Sequence, residues 1–140
     1  MYVDINYMDQ YHDFSYDHNN FAKLPQLISD TKRDYKLHWA LILDPGIEGN
    51  NTQDPIFSDG YKNEVFIKWS KSIPISDRHN PENVATDTDV MYGKGWPKGP
   101  VAFPDFFKNV THVWWKKWIN YMHKDLNLKF DALWIVSYKV

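Results

Sequence analysis

An α/β fold is predicted for this chain, and three observations predict it. Three strand-like runs, Tyr2–Tyr7, Leu37–Leu43 and Phe130–Val136, are separated by two segments with helical spacing of apolar residues. The middle run is almost continuously apolar, broken by His38 alone, which is how a strand covered on both faces of a parallel sheet reads. A long segment poor in periodicity, residues 47–104, carries six of the eight prolines. Strand, helix and strand in that order make a right-handed crossover unit.

The elements follow in order. Tyr2–Tyr7 alternates and ends polar, so it reads as a strand whose carboxyl end carries Asp4 and Asn6. Asp9–Asn20 is turn-rich. Pro25 fits the first helical position, with Leu24, Leu27 and Ile28 at helical spacing, and that helix should fade near Arg33-Asp34. Asp44-Pro45-Gly46 ends the second strand, because the residue before proline is driven out of helix and Gly46 permits a turn. Within 47–104, Glu64–Trp69 is a candidate short strand and Asp87-Thr88-Asp89 a solvated loop. A connection this long is characteristic of a lid or an inserted subdomain. Asp105 is placed as an N-cap, followed by Phe106, Val110, Val113, Trp114, Trp118 and Tyr121 on one helical face.

Bulk properties bound the function. The 140 residues suffice for one domain and one core. Hydrophobic content of 43% and charge of 24% are those of a soluble globular protein. A net charge of −2 with interspersed signs leaves no footprint for nucleic acid or an anionic membrane. The longest apolar run, Trp39–Leu43, is far too short to span a bilayer, and the first residues lack the basic and apolar regions of a signal peptide. Without cysteine there is no disulfide or thiolate metal site, and the six histidines have no zinc-like spacing, so no metal or cofactor is expected. Aromatic residues make up 17% of the chain. Most of them read as core, and the competing reading is a carbohydrate site in which rings stack on apolar sugar faces.

The motifs sharpen this picture. Asp4-Ile5-Asn6-Tyr7-Met8-Asp9 with Asp13-Phe14, then Ile42-Leu43-Asp44-Pro45, Asp59-Gly60 with Val65-Phe66-Ile67, Gly95-Trp96-Pro97, Ala102-Phe103-Pro104-Asp105-Phe106, Trp114-Trp115 and Trp134-Ile135 occur in order. Together they resemble glycoside hydrolase family 31, in its α-glucosidase branch. The resemblance implies a partial (β/α)8 barrel covering roughly the second to fourth strands, as one domain over 1–140, with 47–104 as a long loop insertion. The active site of such a barrel lies at the carboxyl ends of its strands. It also implies hydrolysis of terminal α-linked glucose from oligosaccharides with retention of configuration. Two carboxylates about 5–5.5 Å apart serve as nucleophile and acid/base in that chemistry.

Residue by residue, the resemblance implies that Asp4 binds sugar hydroxyls, that Ile5 and Ile42 form pocket wall, that Trp96 flanks the pocket and that Trp134 lies on its floor. Asp44 is expected to hold the strand-end loops, and Trp114, Trp115 and Trp118 to pack. Asn6 departs from the family's aspartate, keeping an acceptor but losing charge. Val136 stands where the family's nucleophilic aspartate belongs, and Ser137-Tyr138 continues the departure. No catalytic residue is therefore assigned, and the chain alone is expected to be inactive. An abrupt break after Ile135 is expected of translation into an intron, Val-Ser being encodable by GTAAGT, with a downstream exon opening Asp-Met-Asn-Glu. Such a partial barrel is expected to be insoluble, oligomeric or molten. The alternative is a catalytically dead sugar-binding protein; an unrelated interaction domain fits the ordered motifs poorly. Two glycosylation sequons, Asn50-Asn51-Thr52 and Asn109-Val110-Thr111, accord with the secretory, lysosomal or extracellular location that the resemblance implies. The expected ligand is a maltose-like oligosaccharide.

Overall fold

The computed structural model describes residues 1–49, 54–78, 81, 84 and 88–136. Asn50-Asn51-Thr52, Asp87 and Ser137-Tyr138-Lys139-Val140 lie outside the described residues. The chain forms two compact units, one of residues 1–45 with 116–140 and one of residues 46–115.

The first unit is built on a parallel sheet. Strand β1 (Tyr2–Val3) and strand β6 (Ala132–Ile135) flank β2 (Ala40–Leu43), with Tyr2 opposite Ala40 and Ala40 opposite Ala132. Helix α1 (Leu24–Tyr35) provides the crossover between β1 and β2. Pro25 occupies its first turn, where a missing N–H costs nothing, and Lys36 closes it in the left-handed region at φ 55°. Leu24 and Ile28 are its buried residues. The core gathers Tyr7, Phe14, Ile28, Leu41, Leu43, Met122 and Leu128.

The first strand is shorter than its alternation predicts. After Val3 the chain turns, because the Asp4 carboxylate accepts the N–H of Ile5 at 2.7 Å and opens a 3-10 turn over Ile5–Tyr7. The third strand also differs, since Trp134 and Ile135 are exposed on an outer strand rather than buried.

The second unit contains a small antiparallel sheet in the order β3 (Ile47–Glu48), β5 (Val101–Ala102), β4 (Tyr92–Gly93). Helix α2 (Pro55–Lys62) joins it, capped by Asp54, whose side chain accepts from Ile56 and Phe57. Glu64–Trp69 contributes two isolated bridges, Phe66 to Pro104 and Lys68 to Val90, rather than a continuous strand. Phe57 stacks on Phe66 at 5.2 Å, and Phe66 meets Trp114 edge-on. Helix α3 (Asn109–Lys124) begins four residues after Asp105, which instead caps a turn by accepting from Phe107 N–H. Trp114 and Trp118 of the expected face are buried, but the buried row continues through Thr111 and Met122, while Val110 and Val113 prove exposed. Among the described residues the sheets do not close into a barrel.

Candidate active site

The carboxyl ends of β1, β2 and β6 lie side by side in the first unit. Ile42 pairs directly with Trp134, and Val3 pairs with Leu41. Asp4, still extended at φ −81° and ψ 172°, therefore continues to the level of Ile42. Side chains alternate along a strand, so Asp4, Ile42 and Trp134 share one sheet face. Asp4 is exposed, Ile42 is buried and Trp134 is 41% exposed, with the Tyr2 ring edge-on at 6.2 Å. One Asp4 oxygen is held by Ile5 N–H, which fixes the carboxylate at the strand end. Ile5 itself is buried in the turn.

Val136 follows β6 immediately and is half-buried. Since Leu43 pairs with Ile135, Val136 stands one position beyond the last pair, level with Asp44. An alkyl group at that position supplies neither a nucleophile nor a negative charge.

Trp96 belongs to the second unit. It is 54% exposed on the segment between β4 and β5 and precedes the buried Pro97. A shallow cavity of about 160 Å³ in this unit is lined by Tyr61, Glu64, Phe66, Lys68, Asp89 and Val90, none of them a predicted site residue. Lys68 bridges its two acids, at 3.1 Å to Glu64 and 3.0 Å to Asp89. Trp114 and Trp118 are buried, and Trp115 meets Phe106 edge-on. Among the described residues no group of three or more histidine, aspartate or glutamate side chains could hold a metal ion. None of the described helices is long and apolar enough to cross a membrane.

Sequence reasoning assigned no role to Tyr7 or Asp13, which hold the site's framework. Tyr7 Oη donates to the Ile42 carbonyl at 2.9 Å, and Asp44 N–H donates to Asp13 Oδ1 at 2.8 Å. Burial, above all, pushes the Tyr7 phenol far above its usual range, with the nearby Asp13 and Asp44 charges adding to it. Burial likewise pushes the Asp13 carboxyl well up, opposed by the Asp44 N–H and helped by the Asp44 charge. Aspartates in a turn-rich stretch read as solvated, so the place of Asp13 in the first of the ordered motifs, with Phe14, was the available signal.

The arrangement offers a carboxylate acceptor, an apolar wall and an indole on one face, a set suited to a hydroxyl-rich ligand with apolar faces. Residues 1–136 match the glycosyl hydrolases family 31 TIM-barrel domain. The chain is 36% identical to the "Probable maltase-glucoamylase 2" of Homo sapiens over 159 aligned residues, covering 96% of this chain and 6% of that protein. It is 34% identical to the intestinal sucrase-isomaltase of Oryctolagus cuniculus, covering 96% of this chain and 8% of the relative. Among solved structures, the DNJ-bound glucosidase II alpha subunit superposes with a TM-score of 0.72 at 21% identity, over 96% of this chain and 12% of that one. The chain thus spans a small part of the relatives it matches. Across nearly its whole length, it belongs to the TIM-barrel domain of glycosyl hydrolase family 31, a family of O-glycosyl hydrolases.

Proposed function

We propose that this chain is a segment of the catalytic barrel of a retaining α-glucosidase acting on terminal α-linked glucose of maltose-like oligosaccharides. Asp4 accepts hydrogen bonds from sugar hydroxyls, Ile5 and Ile42 form apolar wall and Trp134 forms the floor. The observation that carries this reading is the shared face of Asp4, Ile42 and Trp134, set by the Ile42–Trp134 register. Because Val136 replaces the nucleophile, the chain as it stands does not turn over substrate. Secretory-pathway, lysosomal or extracellular residence goes with this reading, supported by relatives described as intestinal sucrase-isomaltase and lysosomal alpha-glucosidase.

Val136 also favours a second reading, a sugar-binding protein without catalysis. One experiment separates the two. The purified chain is assayed on maltose and an aryl α-glucoside, and the segment is transplanted into a family member in place of its own, with and without Val136→Asp. No turnover is expected from the chain or the Val136 chimera. The Val136→Asp chimera should hydrolyse maltose and lose most of that activity on Asp4→Ala. Sustained hydrolysis with valine in place, or an active chimera indifferent to Asp4→Ala, sinks the proposal. Saturable maltose binding by the unaltered chain, without turnover, favours the second reading.

A further inference from the structure

The loop that follows β1 is fastened to the end of β2 by two buried hydrogen bonds. Tyr7 Oη reaches the Ile42 carbonyl, and Asp13 Oδ1 receives Asp44 N–H. Between Tyr7 and Asp13, and just after them, the backbone is unusual, with Gln10, Tyr11 and Phe14 at φ 49°, 66° and 60°. Residues with a Cβ seldom occupy that region, and they persist there when the surroundings hold them.

Asp13 is 4% exposed, and its second oxygen, Oδ2, has no hydrogen-bond partner among the described residues. The Asp44 carboxyl beside it is 1% exposed. An ionised Asp13 would be stripped of water, hold a single N–H bond and face a second acid. A charge so placed costs several kcal/mol in general, and such groups take up a proton instead. The titratable groups coupled to it are Asp44, at the end of β2, and Tyr7, in the turn after β1. No lysine, arginine or histidine of α1 or α3 offsets it among the described residues.

We propose that Asp13 is a neutral carboxylic acid in the folded protein and that, with Tyr7, it forms a positioning pair fixing Asp4 and Ile5 against Ile42. The pair acts through the backbone and touches no ligand. This inference does not depend on sugar binding or hydrolysis.

The sign of its pH dependence follows from linkage. An unfolded aspartate titrates near about 3.9. Above that pH the folded chain holds one proton more than the unfolded chain, so this group's contribution is greatest at low pH and is lost as pH rises through the folded value. Asp13→Asn keeps an acceptor for Asp44 N–H and cannot ionise.

The test is denaturant unfolding of the full chain and of Asp13→Asn between pH 4 and 9. The ratio of the variant's folding constant to the wild type's is expected to rise by up to about tenfold per pH unit above pH 4, then level off. A ratio that is flat, or that falls as pH rises, overturns the proposal. Tyr7→Phe should lower stability throughout that range by removing the buried bond to the Ile42 carbonyl, whereas unchanged stability would detach Tyr7 from the pair. Independently of any variant, the wild-type chain at neutral pH should show the infrared carbonyl band of a protonated carboxylic acid, shifted in D2O. Absence of that band overturns the proposal whatever the variants do.

Discussion

Asp131 ties the start of β6 to two distant segments, and its charge should set the acid limb of stability. Its Oδ1 accepts from Lys32 Nζ at 2.6 Å, and its Oδ2 accepts Trp39 N–H at 2.9 Å. Lys32 also donates to the Lys129 carbonyl at 2.8 Å, and His38 Nδ1 lies 3.6 Å from the carboxylate. The Lys32 hydrogen bond first, then the Trp39 N–H, hold the carboxyl down from 3.8 to about 2. Taken at face value, such a shift is worth about 2.5 kcal/mol. The side chain is 30% exposed and solvent screens the pair, which reduces the figure to about 1–1.5 kcal/mol. Because the folded value is depressed, this stability is fully present above pH 4 and is lost as pH falls through 2. Asp131→Asn keeps an acceptor for Trp39 N–H while losing the charge. Urea unfolding at pH 7, 5, 3 and 2 should therefore show the variant less stable by about 1–1.5 kcal/mol at neutrality, with the difference closing toward acid. Lys32→Met in the same background should show coupling of about 1 kcal/mol with Asp131. A difference that stays constant with pH, or widens as pH falls, refutes the reasoning.

Two packing predictions accompany it. Ile28 and Leu27 are neighbours on α1, the first fully buried and the second 49% exposed; Ile28→Ala should cost about 2–4 kcal/mol and Leu27→Ala under about 1 kcal/mol in denaturant unfolding, and equal losses would contradict the assigned face. Gly60 lies in α2, where an added Cβ would stand 2.7 Å and 2.9 Å from the Phe66 ring and 3.1 Å from Trp114. Gly60→Ala should therefore lower the thermal midpoint by overpacking, about 1–3 kcal/mol, despite the better helix propensity of alanine; a raised midpoint would show that the rings give way.

Much of the fold was legible because its signals are local. Pro25 announced the start of α1, and the apolar run before Asp44-Pro45 announced a strand covered on both faces. The errors have physical causes. Alternation over Tyr2–Tyr7 looks like a strand, but the Asp4 side chain competes for the next backbone N–H and turns the chain early. Asp54-Pro55 is a readable helix start, overlooked because α2 is short and contains Gly60. On α3 the buried row runs through Thr111, whose polarity hid it; its hydroxyl donates to the Val65 carbonyl at 3.3 Å. Asp4, Ile42 and Trp134 came from ordered motifs, whereas their common face depends on pairings between distant segments that no local pattern encodes. The burial of Asp13 is equally non-local, arising from β2 rather than from its own turn.

The order of the first sheet has a kinetic consequence. Its central strand β2 meets β1 across 38 residues and β6 across 92, so both pairings are remote in sequence. For a flexible chain the longer closure costs only about 0.8 kcal/mol more than the shorter, since the entropy grows with the logarithm of length. Both ladders are parallel and every contact they make is late, which places the chain among slow folders. The β1–α1–β2 crossover can assemble while residues 46–115 condense on their own contacts. Docking of β6 then requires the intervening chain to be compact already, and until that moment β2 offers one unpaired edge to any other strand in solution.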